Sequence, residues 1–320
     1  MEYAKLGNSN LQVSRLCVGC MSFGDPQSNF HSWTLNADES EVLVKRALEL
    51  GINFFDTANI YSAGTSEEYL GRAIKNNIAR DKVVLATKVY NNEGKLSKEA
   101  ILREIDISLK NLGTDYVDLY IIHRFDYDTP IEETMETLDG LVKAGKVRAL
   151  GASAMYGYQF YNMQLAAKEN GWTPFVSMQN HYSLLYREDE RDLIPICKQY
   201  NVALTSYSPL AAGRLSRLEW NADTRRSQED KTAILKFDST KDTDSNIVRR
   251  VHDIAEKYNV SMTQIALAWQ FVKGVTSPII GATKAKYFDD AVGAFDLRLS
   301  EDDVTYLEEL YLPHKIVGAL

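Results

Sequence analysis

The sequence predicts a (β/α)₈ barrel, and three observations carry that expectation. Eight apolar runs of strand length recur along the chain, at residues 16–19, 54–56, 83–87, 117–122, 147–152, 175–179, 202–207 and 278–280. They are continuous rather than alternating, the pattern of parallel strands covered on both faces. Segments of helical periodicity separate them, and 320 residues is a length that one such barrel commonly fills. Residues 1–320 are therefore read as a single barrel domain.

Each element has its own signal. Short runs at 3–5 and 13–15, joined through Gly7 and Asn10, predict a β-hairpin ahead of the first barrel strand. Ser66 reads as the cap of a helix over 67–74, and Ser97 as the cap of a helix over 98–112 that Gly113 ends. Ile101, Ile105, Leu109 and Leu112 fall on one helical face, as do Ile131, Met135, Leu138 and Val142, and Val248, Val251, Ala255 and Tyr258. Two stretches break the rhythm. Residues 22–36 hold Phe23, Phe30, His31 and Trp33, and residues 211–245 are polar with no clear period; long loops of this kind tend to carry function.

Composition excludes several function classes. With 45% hydrophobic and 25% charged residues the chain can build a sizeable core. A formal charge of −8, from 36 basic against 44 acidic residues, argues against a nucleic-acid binder that works through a basic face. No apolar window is long enough to span a membrane, and the N-terminal residues lack a secretory apolar segment. Three cysteines cannot pair completely. Cys17 and Cys20 have CxxC spacing, but no second such pair completes a zinc site, so both read as small buried residues on and just after a strand. A reducing, cytoplasmic setting and no bound metal are expected.

In this fold the active site lies at the C-terminal ends of the strands. Asp56 closes the second strand, Tyr61 follows in its loop, Lys88 follows the third and His123 the fourth. Singly, each has an ordinary structural explanation. Together, at three adjacent strand ends, they form a proton-transfer set. A free phenol, with pKa ~10, is a weak acid near neutrality. A neighbouring ammonium would lower that value, a carboxylate would hold the ammonium charged, and an imidazole could orient a carbonyl.

No G-x-G-x-x-G fingerprint is present, so a dinucleotide would have to be held by barrel loops. The loops after strands seven and eight form the usual phosphate site of such barrels. Here they are 208–214, ending in Arg214, and 281–284, from Gly281 to Lys284. Tyr207 could stack on a flat ring or serve as a rim aromatic. Trp33, Tyr90, Phe125 and Tyr156 are candidates for an aromatic wall around a substrate, or for loop packing.

Several stretches resemble the aldo-keto reductase superfamily. One runs from Gly51 to Tyr61 and on to Gly71; a second runs from Leu112 to His123. Ala86-Thr87-Lys88, residues 145–153, Gln179, residues 206–210 and residues 280–283 extend the match to nearly the whole chain. The resemblance, which reaches to bacterial reductases and potassium-channel β subunits, implies NADPH-dependent reduction of an aldehyde or ketone. It implies Tyr61 as general acid, with Asp56, Lys88 and His123 as partners. It further implies that Ser153 and Gln179 hold the nicotinamide carboxamide and that Tyr207 stacks on its ring. Main chain at Cys20 and Met21, with Asp56 beside it, would touch the cofactor. Ser208, Leu210, Ala212 and Gly213 would line the pyrophosphate, and Arg226 would reach the adenosine end.

The sequence departs from the family at the adenine end. Positions that in relatives follow Thr283 with Gln, Glu and Asn are Tyr287, Asp290 and Ala291 here, and alanine offers adenine no amide. Ala282 stands where other branches carry a lysine for the 2′-phosphate, leaving Thr283, Lys284 and Arg226 for that group. The expected partner is a small carbonyl compound. The alternative function is a barrel that binds NADP(H) and reports its redox state to another protein.

Overall fold

The computed structural model describes residues 1–28, 30–220 and 228–318. A hairpin of β1 (Tyr3–Lys5) and β2 (Gln12–Ser14) precedes eight parallel strands. These are β3 (Cys17–Gly19), β4 (Phe54–Asp56), β5 (Val84–Val89), β6 (Val117–Ile122), β7 (Val147–Ser153), β8 (Phe175–Gln179), β9 (Ala203–Leu204) and β10 (Ile279–Gly281). They run in the order β10-β3-β4-β5-β6-β7-β8-β9. The two outer strands meet: Ser277 N donates to Leu204 O at 3.2 Å and Ile279 N to Ser206 O at 2.9 Å. This is the (β/α)₈ barrel that the apolar runs predict. β9 is shorter than expected, although Thr205 N and Tyr207 N still donate to Met178 O and Asn180 O.

Around the sheet lie α1 (Ala37–Glu49), α2 (Thr65–Asn77), α3 (Lys98–Leu112), α4 (Ile131–Lys143), α5 (Gly157–Asn170) and α6 (Leu193–Gln199). They are followed by α7 (Lys231–Phe237), α8 (Lys241–Tyr258), α9 (Met262–Val272), α10 (Lys286–Val292) and α11 (Glu301–Glu308). Ser97 caps α3 through Ala100 N and Gly113 ends it with φ 64°, both as the sequence predicts. Ile101, Ile105, Leu109 and Leu112 are all buried, each contributing ~1.5–3 kcal/mol by leaving water. Among the described residues, no helix is long and apolar enough to cross a membrane.

Two expectations need correction. Ser66 is not a cap: α2 starts two residues earlier than expected, at Thr65 after Gly64, and the Ser66 hydroxyl donates to Cys20 O at 2.8 Å. The stretch from 231 onward is helical rather than irregular. Asp230 caps α7 by accepting from Ala233 N, and Ala233 and Phe237 turn one short face inward. Seven residues are too few for a period to stand out.

The core has two layers. Cys17, Phe54, Val84, Ala86, Leu119, Ile121 and Ala149 fill the barrel, and Leu6 and Val13 of the hairpin region pack with them as a plug at the N-terminal end. The intervening strand residues pack outward against the helices. Cys17 and Cys20 are buried thiols on and just after β3, as read from the sequence.

Candidate active site

Side-chain alternation carries the barrel's inward column to its rim. Phe54 points inward, so Asp56 does too; Ala86 is followed by Lys88 and Ile121 by His123. On β7, Ala149 and Gly151 lead to Ser153. On β8 the parity would be wrong without an irregularity. Leu150 pairs with Phe175 and Gly151 with Ser177, so Val176 is an extra residue in β8. That one-residue bulge turns Ser177 and Gln179 inward. Gln179 Nε2 consequently donates to Asp56 Oδ2 at 2.9 Å.

Around Lys88 the geometry is tight. Its ammonium donates to Asp56 Oδ1 at 2.5 Å, to Thr57 O at 2.6 Å and to Tyr61 OH at 3.3 Å. Lys88 is wholly buried. Burial works to lower its pKa, but Asp56 and Tyr61 outweigh it and hold the ammonium above the ordinary lysine value. Tyr61 reaches this position because the chain after it makes a left-handed kink, with φ 48° at Ser62 and 54° at Ala63. Such strain in non-glycine residues clusters at functional sites.

The expected lowering of the Tyr61 pKa is not found. Burial pushes the phenol up from its ordinary value, and Lys88 pulls downward without cancelling it. Desolvation of a phenolate outweighs one cation at this distance. The hydroxyl therefore stays protonated across neutral pH. His123 packs edge-on against Tyr61, with ring centroids 5.9 Å apart. Burial first, then Lys88 and Arg124, push its pKa well below the ordinary value, so the ring is neutral. Asn91 Nδ2 lies 3.3 Å from Nδ1. With that amide donating, the ring proton sits on Nε2, the nitrogen left for a carbonyl.

A cleft of about 1040 Å³ opens over this group. Tyr61, Asp56 and His123 line it, and so do Thr283, Lys284, Tyr287 and Asp290 from the segment after β10. Met21, Ser153, Gln179, Tyr207, Ser208, Leu210, Ala212, Gly213 and Gly281 line it as well, so most of the expected cofactor residues share one surface. The loop after β9 is strained, with φ of 55° at Ser208, 47° at Ala211, 55° at Ala212 and 92° at Gly213. Successive residues near these angles turn main-chain groups into a concave cradle suited to an anion. Asp290 is partly committed to the fold, accepting from Ser261 Oγ at 2.7 Å.

Other expected residues stand elsewhere. Arg214 is buried against Asp238 at 2.7 Å and does not line the cleft; Arg217, three residues on, does. Cys20 is fully buried and its carbonyl accepts from Ser66 and Phe23, leaving Met21 as the exposed neighbour. Arg226 lies outside the described residues. Of the four aromatic candidates only Trp33 lines the cleft. Tyr90 and Phe125 pack on the core, and Tyr156 stacks on Tyr158 at 6.0 Å. Loop aromatics are drawn to whatever apolar surface is near, and strand ends do not set their direction.

Sequence reasoning did not single out Arg124, Arg217, Lys236 or His31 as site residues, although all four line the cleft. Arg124 had an available signal, its position directly after His123. Arg217 and His31 come from irregular segments and Lys236 from the short α7, and no local pattern encodes where these segments pack.

Family comparison agrees with this architecture. The model of the aldo/keto reductase family matches residues 15–312. The chain belongs to that family. It is 42% identical to an aldo-keto reductase of Fusarium vanettenii, over 99% of this chain and 93% of that protein. It is 39% identical to the versiconal hemiacetal acetate reductase of Aspergillus parasiticus, over 99% and 98%. To a putative aryl-alcohol dehydrogenase of Schizosaccharomyces pombe it is 41% identical, over 99% and 98%. All three relatives are fungal. This aldo-keto reductase is an enzyme of carbonyl reduction, and its family uses nicotinamide cofactors.

Proposed function

We propose that this aldo-keto reductase reduces an aldehyde or ketone with NADPH, Tyr61 giving the proton to the carbonyl oxygen. The observation that carries this reading is the buried Lys88 ammonium, 2.5 Å from Asp56 and 3.3 Å from the Tyr61 hydroxyl. When bound, the nicotinamide supplies the hydride. The Tyr61 phenol holds the proton, and Lys88 stabilises the phenolate left when it departs. The neutral His123 ring offers an N–H to the carbonyl and sets its orientation.

The donor set suits a nicotinamide. Gln179 spends its amide N–H on Asp56, and Ser153 Oγ donates to Gln179 O at 2.8 Å. Both residues therefore keep oxygen lone pairs for a carboxamide NH₂. Tyr207 lines the cleft beside them and is backed by His181, stacked at 5.1 Å. Lys284 and Arg217 line the cleft as cations suited to phosphates, and one of them at the 2′-phosphate would favour NADPH over NADH. Arg226 remains a proposed contact to the adenosine end.

Residues 1–320 act as one catalytic unit in this reading. Three buried thiols suit a reducing compartment, the cytoplasm. One relative is named for a hemiacetal acetate and another for aryl alcohols, so aromatic aldehydes are the first substrates to try. Loss of NADPH absorbance with para-nitrobenzaldehyde tests the proposal. Tight NADPH binding with no oxidation across a broad carbonyl panel would favour the redox-reporting alternative instead.

A further inference from the structure

Two cations on the cleft wall take no part in the proton-transfer set. Arg124 directly follows His123 and lines the same cleft. Its Nη1 is buried without a hydrogen-bond partner. Such an atom costs free energy unless something else satisfies it. Lys236, from α7, lines the cleft as well, with Nζ 4.8 Å from the centre of the Tyr207 ring. The two cations come from separate parts of the chain, Arg124 directly after β6 and Lys236 on α7, in the segment between β9 and β10. Burial, then repulsion by Arg124, brings Lys236 down to about 8, against the pull of Asp230. Asp230 is engaged at Ala233 N, where it caps α7.

We infer that Arg124 and Lys236 form an anion subsite beside the reacting carbonyl, so that the preferred substrates are carbonyl compounds carrying a carboxylate or a similar anionic group. This rests on the carbonyl-reductase reading and adds its substrate class. A carboxylate entering the cleft would meet the orphaned Arg124 N–H and relieve the repulsion between the two cations. A guanidinium gives such a group a directional, charge-assisted contact that a neutral ester cannot match. Arg124 is the next residue after His123, whose ring packs on Tyr61 with centroids 5.9 Å apart, so an anion held at Arg124 would lie within reach of a substrate whose carbonyl faces the Tyr61 hydroxyl.

The test uses para-carboxybenzaldehyde and its neutral counterpart, methyl para-formylbenzoate, on the full-length protein. Two readouts are needed: kcat/KM with NADPH, and Kd by calorimetry in the presence of NADP⁺. The wild type should favour the carboxylate by roughly 10- to 100-fold in both. Arg124→Met should collapse that ratio mainly through KM, Arg124→Lys should restore part of it, and Lys236→Met should reduce it independently. Equal affinity for acid and ester would overturn the subsite, whether or not either compound turns over. So would an Arg124→Met or Lys236→Met protein that weakens both compounds alike or raises the Kd for NADPH, because that cation would then serve the cofactor. Absence of turnover with both aldehydes, alongside a retained binding preference, would instead remove the reductase reading and leave the anion subsite standing.

Discussion

The Lys88 ammonium bridges two acidic oxygens, lying 2.5 Å from the Asp56 carboxylate and 3.3 Å from the Tyr61 hydroxyl. Lys88 is fully buried, so its charge is balanced by these neighbours rather than by bulk solvent. The three groups thus form one electrical unit in which each charge depends on its neighbour.

Removing the cation alone should be costly. Lys88→Met leaves Asp56 buried with only Gln179 and should destabilise the fold by ~3–5 kcal/mol, as for other broken buried pairs. Urea denaturation measures this. Changing Asp56 to leucine in the same protein should recover much of the loss, and a double variant as unstable as the single one would count against the pairing.

Tyr61→Phe removes one hydroxyl from the cleft lining. Turnover should fall about 10²- to 10⁴-fold while NADPH affinity is kept. Stopped-flow reduction of an aromatic aldehyde, with fluorescence titration of NADPH, separates the two effects. Near-normal turnover would mean that the proton comes from another group.

A packing prediction concerns the α2–α3 contact. A Cβ on Gly71 would lie 2.3 Å from the Leu112 carbonyl oxygen, a backbone atom that cannot step aside alone. Gly71→Ala should cost ~1–3 kcal/mol or more by forcing the helices apart. Thermal denaturation should show a lower midpoint, with the active-site residues unchanged in kind.

The pH dependence of stability should show Asp189. Its burial, with Asp192 and Glu188 nearby, raises its pKa from 3.8 to about 7, against a hydrogen bond from Asn180. Between those values the folded state holds more protons than the unfolded chain, so stability from this group falls as pH rises through the window and levels off above it. Asp189→Asn should flatten that slope and raise the unfolding midpoint in mildly alkaline buffer. An unchanged profile from calorimetry at several pH values would refute it.

The chain's local patterns determined the barrel, the hairpin, the capped α3 helix and the strand-end positions of Asp56, Lys88 and His123. Continuous apolar runs, helical periods and alternation along a strand are short-range properties, and sequence carries them directly. Tertiary structure decided the rest. The bulge at Val176 decided that Gln179 faces Asp56, since a one-residue shift in pairing reverses a strand's faces. Burial decided that the Tyr61 phenol keeps its proton more firmly than its neighbouring cation alone would suggest. Chain paths between the strands decided that Arg217 lines the cleft while Arg214 turns to Asp238, and that Arg124 and Lys236 both line its wall. Such outcomes depend on which distant surfaces come together and on how much water they exclude, and no local spacing encodes either.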